Sequence, residues 1–316
     1  MRYLSFAGVR VIILPYYRFT DPKQFSKRTI QEPIPRRTGV STTDAPPVTL
    51  AYDDDGSGPA LLFLHGGWLS AESWASQRER FADEYRTVAP DLRGHGRTGP
   101  SETRRYSIDL LTADLDSLLS DLGIEEAVIC GLSLGSMVAQ AYAARHPERV
   151  RAIVLAGAVR TFPPIELPQL TKQLFTPLPA LSTALSFYGS AMTFRSLLAS
   201  IRPVTGGPWL AWDSQVRATA LETIETMPED EFRKVFSALY QFRPPELDGL
   251  SVPTRIVYGE HEAPLVKYQS EQLARTLDGE VHEIPDAAHL VNQDRPRKFN
   301  EILSELLDEV DGKREQ

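Results

Sequence analysis

From Val48 onward, short apolar runs alternate with longer amphipathic ones. Ala60-Leu-Leu-Phe-Leu64 is continuously apolar, the pattern of a strand buried on both faces of a parallel sheet. Thr87–Ala89, Ala127–Cys130, Arg151–Leu155 and Thr254–Tyr258 read the same way, and Glu280–Ile284 reads as a less buried strand near the sheet edge. Val48–Tyr52 alternates as a strand does, and Asp55-Gly-Ser-Gly-Pro59 is a turn. Helical spacing appears over Ser107–Leu122, where Leu111, Leu115, Leu118 and Leu122 share a face. Ala-rich Ser133–His146 is a second helix, stopped by Pro147, and Ser270–Leu277 and Pro296–Leu307 complete the set. Strands alternating with helices of this length predict βαβ units, hence an α/β fold with a mostly parallel sheet.

Two stretches break the rhythm. Phe162 to about Gly249 carries prolines and short helical pieces but no parallel-strand signal, so residues 161–248 are expected to form a helical cap. It divides a core made of residues 48–160 and 249–316. Residues 1–47 mix Pro, Arg, Lys and Thr without periodicity and are expected to be a poorly ordered extension. Arg10 interrupts the apolar start and no small-residue cleavage site follows, so a secretory leader is not expected.

Composition narrows the function. With 34 basic against 42 acidic residues in 316, the formal charge of −8 argues against a nucleic-acid partner, whose phosphates call for a basic face. No run reaches the roughly 18 apolar residues of a membrane-spanning helix. The single cysteine, Cys130, excludes an internal disulfide and a Cys-based metal cage, which suits a reducing, cytoplasmic compartment. No other His/Asp/Glu grouping has metal-ligand spacing and no phosphate loop appears, so neither metal nor cofactor is expected.

Gly131-Leu-Ser-Leu-Gly135 fits G-x-S-x-G. Alone the pattern is weak, arising about 0.1 times by chance in a chain this long. Its position changes its weight: it follows the apolar run Ala127–Cys130 and opens a helix, the strand-to-helix turn that holds a serine hydroxyl clear of the backbone. Ser133 is therefore the candidate nucleophile, the plain alternative being a helix N-cap serine between two turn glycines. A hydroxyl needs a base. Of six histidines, His65 and His95 sit in Gly-rich turns, His146 ends a helix, His282 lies in a strand and His261 beside an acidic loop. His289 lies in Pro285-Asp-Ala-Ala-His289, a short loop between the last strand and the last helix. Such loops gather at the carboxyl edge of a doubly wound sheet, and His289 is the candidate base. The orienting carboxylate belongs on the loop after Thr254–Tyr258, where Glu262 is preferred, Glu260 comes second and Asp286 a distant third. Backbone N–H groups of Leu134 and of Gly67 or Trp68 are the candidate oxyanion hole.

These features together make the chain resemble the α/β-hydrolase superfamily, in its branch of capped esterases, lactonases, perhydrolases and C–C bond hydrolases. The resemblance covers about Val48–Leu307. It rests on Asp55–Pro59 leading into His65-Gly-Gly-Trp68, on Asp91-Leu-Arg-Gly-His-Gly-Arg-Thr98, on Gly131–Gly135, on Gly259-Glu-His-Glu262 and on Pro285–His289. It implies an eight-stranded sheet with a lid inserted after the sixth strand, and a Ser-acid-His triad. The chain departs from the family pattern twice: Glu262 stands where Asp is usual, and Asp286 and Ala288 replace glycines of the histidine loop. Epoxide hydrolases and haloalkane dehalogenases of this fold use Asp as nucleophile, so Ser133 speaks against both. Aromatic residues of the cap, among them Trp209, Trp212 and Phe236, suggest an apolar pocket and a small ester-like substrate with an apolar part.

Overall fold

The computed structural model describes residues 3–6, 9–12, 45–161 and 176–312. Strands β1 (Tyr3–Phe6) and β2 (Val9–Ile12) pair antiparallel as a hairpin within a separate unit, Met1–Val40. The rest of the expected extension over 1–47, apart from residues 45–47, lies outside the described residues.

Among the described residues the main unit is built on seven strands: β3 (Tyr52–Asp55), β4 (Ala60–Leu64), β5 (Arg86–Pro90), β6 (Ala127–Leu132), β7 (Val150–Ala156), β8 (Thr254–Gly259) and β9 (Glu280–Ile284). Their order across the sheet is β3-β5-β4-β6-β7-β8-β9, with β3 antiparallel to β5 and every other pair parallel. The α/β reading therefore holds, with one strand fewer among the described residues than the resemblance implies. The expected strand over Val48–Tyr52 joins no ladder before Tyr52: Ala51 O accepts the Asp91 N–H just beyond β5, but the segment's N–H groups go elsewhere. Val48 N–H donates to the Asp114 carboxylate and Ala51 N–H to the Thr98 hydroxyl. The inserted segment consequently follows the fifth strand of this sheet, β7, instead of a sixth.

Alternation along β4 explains why the sheet is covered on both sides. Leu62 and Leu64 face one core, with helices α2 (Ile108–Asp121) and α3 (Leu134–Arg145). Leu61 and Phe63 face the other, with α1 (Ala75–Phe81) and the C-terminal helix α9 (Pro296–Gly312). Ser107 Oγ caps α2 by accepting the Leu110 N–H, which fixes the start that the leucine spacing predicts. Between β7 and β8 lie α4 (Leu178–Thr205), kinked at Gly189, then α5 (Ser214–Glu225) and α6 (Glu229–Gln241). Residues 162–175 of the expected cap lie outside the described residues. After β8 come α7 (Pro264–Leu277) and, beyond β9, the single turn α8 (Val291–Asp294).

The loop after β5 is tied down by a buried ion pair. Arg93 Nε and Nη2 donate to Asp114 at 2.8 and 2.6 Å, and its remaining donors reach Thr103 Oγ1 and the Pro46 carbonyl. Both side chains are fully buried, so removing one strands the other's charge. Arg93→Met should therefore destabilise the protein by about 3–5 kcal/mol in urea titrations. Arg80→Ala, which removes an exposed pair with Glu84, should cost no more than about 1 kcal/mol.

Candidate active site

Strand order dictates which loops meet. β4 lies between β5 and β6, so the chain reverses its winding direction there, and the loops after β4 and β6 emerge side by side. The loops after β6, β7, β8 and β9 then follow one another along the same carboxyl edge. Backbone bonds stitch them together: Ser133 N–H to Ala156 O, Gly157 N–H to Val257 O, Glu260 N–H to Ile284 O and His261 N–H to Ala287 O, all 2.8–2.9 Å.

Ser133 sits in the turn from β6 to α3 with φ 52° and ψ −110°, a conformation that costs an L-residue about 1–3 kcal/mol. The flanking glycines are required. A Cβ on Gly131 would come within 2.4 Å of Gly135 O, and one on Gly135 within 2.2 Å of Leu64 O. From Ala127 to Ala143 every residue is buried except Ser133. The strain thus lifts one hydroxyl-bearing residue out of an otherwise buried stretch.

His289 and Glu262 come together as the sequence suggests. His289 Nδ1–H donates to Glu262 Oε2 at 2.6 Å, and both side chains are buried. That tautomer leaves Nε2 free to accept a proton. Glu260 instead accepts the Asp286 N–H at the surface, and Asp286 is exposed beside Arg295, so neither orients His289. Gly157, φ 50°, links this pair to Ser133. It follows Ala156, whose carbonyl holds the Ser133 N–H, and a Cβ on it would lie 2.9 Å from the His289 ring and 3.3 Å from Glu262 Oε2.

The two expected oxyanion segments also meet, with one correction. A Cβ on Gly67 would lie 3.8 Å from the Leu134 Cβ, so the amides of 67 and 134 occupy neighbouring backbone. Leu134 opens α3, where N–H groups have no partner within the helix. The Trp68 N–H, in contrast, is already used: it donates to His95 Nε2 at 3.0 Å. Of the two alternatives, Trp68 is thereby removed and Gly67 remains.

Two buried histidines hold this loop from below. His95 Nδ1–H donates to Arg93 O while its Nε2 accepts from Trp68, and His65 Nδ1–H donates to Gly66 O while its Nε2 accepts the Leu92 N–H at 2.9 Å. Both arrangements demand neutral rings, which stand 4.8 Å apart. Burial lowers the pKa of both, that of His95 to about 3 with help from His65. Neighbouring Asp91 is pushed up by burial, but the Ala71 amide and the Arg97 side chain and amide outweigh this and hold it below the usual carboxylate range. From above, α6 presses Val235 and Leu239 against Gly67, and Phe232 stacks on Trp68 at 4.9 Å. The helix is latched to the core by buried Glu231, which accepts the Tyr106 hydroxyl and a 2.8 Å bond from Lys234.

Sequence reasoning did not single out three residues that complete the site. Trp209, between α4 and α5, donates its indole N–H to Glu262 Oε1 and stacks on His289 with centroids 4.4 Å apart. Asp294 accepts the N–H groups of Ala288, Trp212 and Asp213. Gly157 is the third. Trp209 was visible only as one cap aromatic among several, and Asp294 carried no signal, since its partners lie far away in sequence. Glu260, His261 and Asp286 bring ligand atoms within 4.8 Å of one another, but on the outer, exposed side of these loops, with Trp212 stacked on His261. Cys130 is buried in β6 and burial raises its thiol pKa, as befits a packed core residue.

Residues 61–302 match the model of the alpha/beta hydrolase family. Among curated proteins, the chain is similar to epoxide hydrolase 3 of Xenopus tropicalis, 28% identical over 279 residues, with 81% of this chain and 73% of that one covered. It is also similar to 3-oxoadipate enol-lactonase 2 of Acinetobacter baylyi, 23% identical over 269 residues, with 84% and 96% covered. Among solved structures, a thermophilic esterase from Thermogutta terrifontis superposes with a TM-score of 0.69 at 26% identity, with 83% of this chain and 93% of that one covered.

The neutral histidines make the brace acid-sensitive. Unfolded, His95 takes up a proton as the pH falls through about 6.5; folded, it does so only near 3. Between those values the unfolded state binds more protons, so stability declines with falling pH. His95→Gln should lower stability at neutral pH and flatten this acid limb. Over that window the slope of unfolding free energy against pH, read from denaturant titrations, should decrease by up to about 1.4 kcal/mol per pH unit.

Proposed function

We propose that this chain, which belongs to the alpha/beta hydrolase family, is a serine hydrolase that cleaves a carboxylic ester or lactone through Ser133, His289 and Glu262. The observation that carries the reading is a serine, not a carboxylate, in the positive-φ elbow between β6 and α3. In this reading His289 Nε2 takes the Ser133 hydroxyl proton as Oγ attacks the substrate carbonyl. Glu262 keeps the ring in the accepting tautomer and stabilises the imidazolium. The amides of Leu134 and Gly67 receive the developing oxyanion, at the positive end of α3. His289 returns the proton to the leaving alkoxide, and a water activated by the same ring then hydrolyses the acyl-enzyme.

Relatives named as an enol-lactonase and an esterase support an acyl substrate, whereas another is named an epoxide hydrolase. Elementary chemistry separates the two readings. A carboxylate that opens an epoxide forms an ester, which water can hydrolyse to release product. Serine oxygen would form an ether, which water does not cleave, and the enzyme would stop after one turnover. Helices α4–α6 serve as a cap in this reading. Val235, Leu239 and Trp68 surround Gly67 with apolar side chains, which in this reading favours an ester with an apolar part. A cytoplasmic location is proposed with it, on the ground that the single cysteine, Cys130, offers no internal disulfide.

Ser133→Ala should reduce turnover of short p-nitrophenyl esters by about 10⁴-fold or more while leaving the melting temperature unchanged or raised by relief of the elbow. Esterase activity persisting in that variant at near wild-type rate would remove Ser133 from its role.

A further inference from the structure

Resting on the serine-hydrolase reading above, we infer that Trp209, supplied by the inserted segment, is a positioning residue that holds Glu262 against His289. Four observations converge on it. Its indole N–H donates to Glu262 Oε1, the carboxylate oxygen that His289 does not use. Its ring lies on the His289 imidazole, 4.4 Å between centroids at 29°. Its carbonyl accepts the His289 backbone N–H at 3.0 Å, and the next carbonyl, Leu210 O, accepts the Leu290 N–H at 3.0 Å. One residue thus grips the base through ring and backbone and the acid through its N–H.

The grip answers a geometric problem that this chain sets for itself. A glutamate has one more rotatable bond than an aspartate, so its carboxylate must be held at both oxygens to present Oε2 to Nδ1 in one orientation. Oε2 meets His289; Oε1 receives the Ala263 N–H at 2.7 Å and the Trp209 indole. Glu262 is buried, so the indole also satisfies an acceptor that water does not reach. Trp209 itself is only half-buried, unlike the core tryptophan Trp74, so its contacts at the site are not a by-product of core packing. The backbone that carries it is fixed by Asp294, which binds the amides of Trp212 and Asp213 with the same carboxylate that holds Ala288 beside the base. The acid, the base and the inserted segment therefore form one hydrogen-bonded unit.

The test follows phosphonylation of Ser133 by an alkyl fluorophosphonate probe, separating the maximal rate of labelling from the probe's apparent binding constant. In Trp209→Phe a smaller aromatic ring remains but the indole N–H is lost. The maximal rate should fall about 10- to 100-fold, with the binding constant changed less than about threefold, as expected when a catalytic group is misplaced by an ångström or so. Should that variant fold poorly by its melting temperature, benzothienylalanine at 209 replaces the N–H by sulfur within the same ring outline, and the same drop is expected. A maximal rate equal to wild type in a folded variant, or a change confined to the binding constant, overturns the positioning role. Failure of the wild-type protein to label at Ser133 would instead remove the serine-hydrolase reading, and the role of Trp209 with it.

Discussion

The parallel pairing of β4, β6, β7, β8 and β9 is the constraint on which the site depends. Because these strands run in one direction, the loops that leave them emerge at one edge, and each hands a backbone hydrogen bond to the next. Ser133 is held by the end of β7, Gly157 by β8, and the acid loop by β9 and the residues just before His289. A slip of one residue in any of these registers would turn a core side chain outward and carry one candidate group out of line with the others. The strain at Ser133 is sustained by the same pairing, since the buried residues on both sides leave the elbow no way to relax.

Around that edge the protein solves its polar problems in pairs. The His65 and His95 rings, buried and neutral, accept backbone amides that would otherwise be orphaned, and in doing so they shape the loop that carries Gly67. The cost of burying two imidazoles is met by four well-placed bonds, which ties the shape of the loop to the protonation state of the rings. On the far side, Glu231 and Lys234 bury opposite charges against Tyr106 and seat α6 on the loop. The inserted helices are thus joined to the site at two points: α6 above Gly67, and the Trp209–Asp213 segment against His289 and Asp294.

Much was legible in the linear pattern. The apolar run at Ala60–Leu64 and the edge-strand pattern at Glu280–Ile284 match strand ends to the residue, and the α2 leucine spacing together with Ser107 marks that helix to within a residue. Local chemistry decides those features: alternation, caps and glycine turns act within a few residues. The His289–Glu262 pair was legible as well, because strand-then-loop logic says where such groups emerge. The strand expected at Val48 was not found before Tyr52, since side chains of Thr98 and Asp114, distant in sequence, take the N–H groups of Ala51 and Val48 that a ladder would have used.

What the amino-acid order determined by itself was the alternating α/β plan, the elbow serine with its obligatory glycines, and the loops on which the candidate acid and base sit, all set by short-range sterics and periodicity. Tertiary structure alone put Glu262 and not Glu260 on the His289 ring, gave the Trp68 amide to His95, and brought Trp209 onto the His289–Glu262 pair. Those outcomes turn on which side chain reaches a given hydrogen-bonding group first across 27 residues for Trp68 and His95, and 53 for Trp209 and Glu262, a competition settled only by packing.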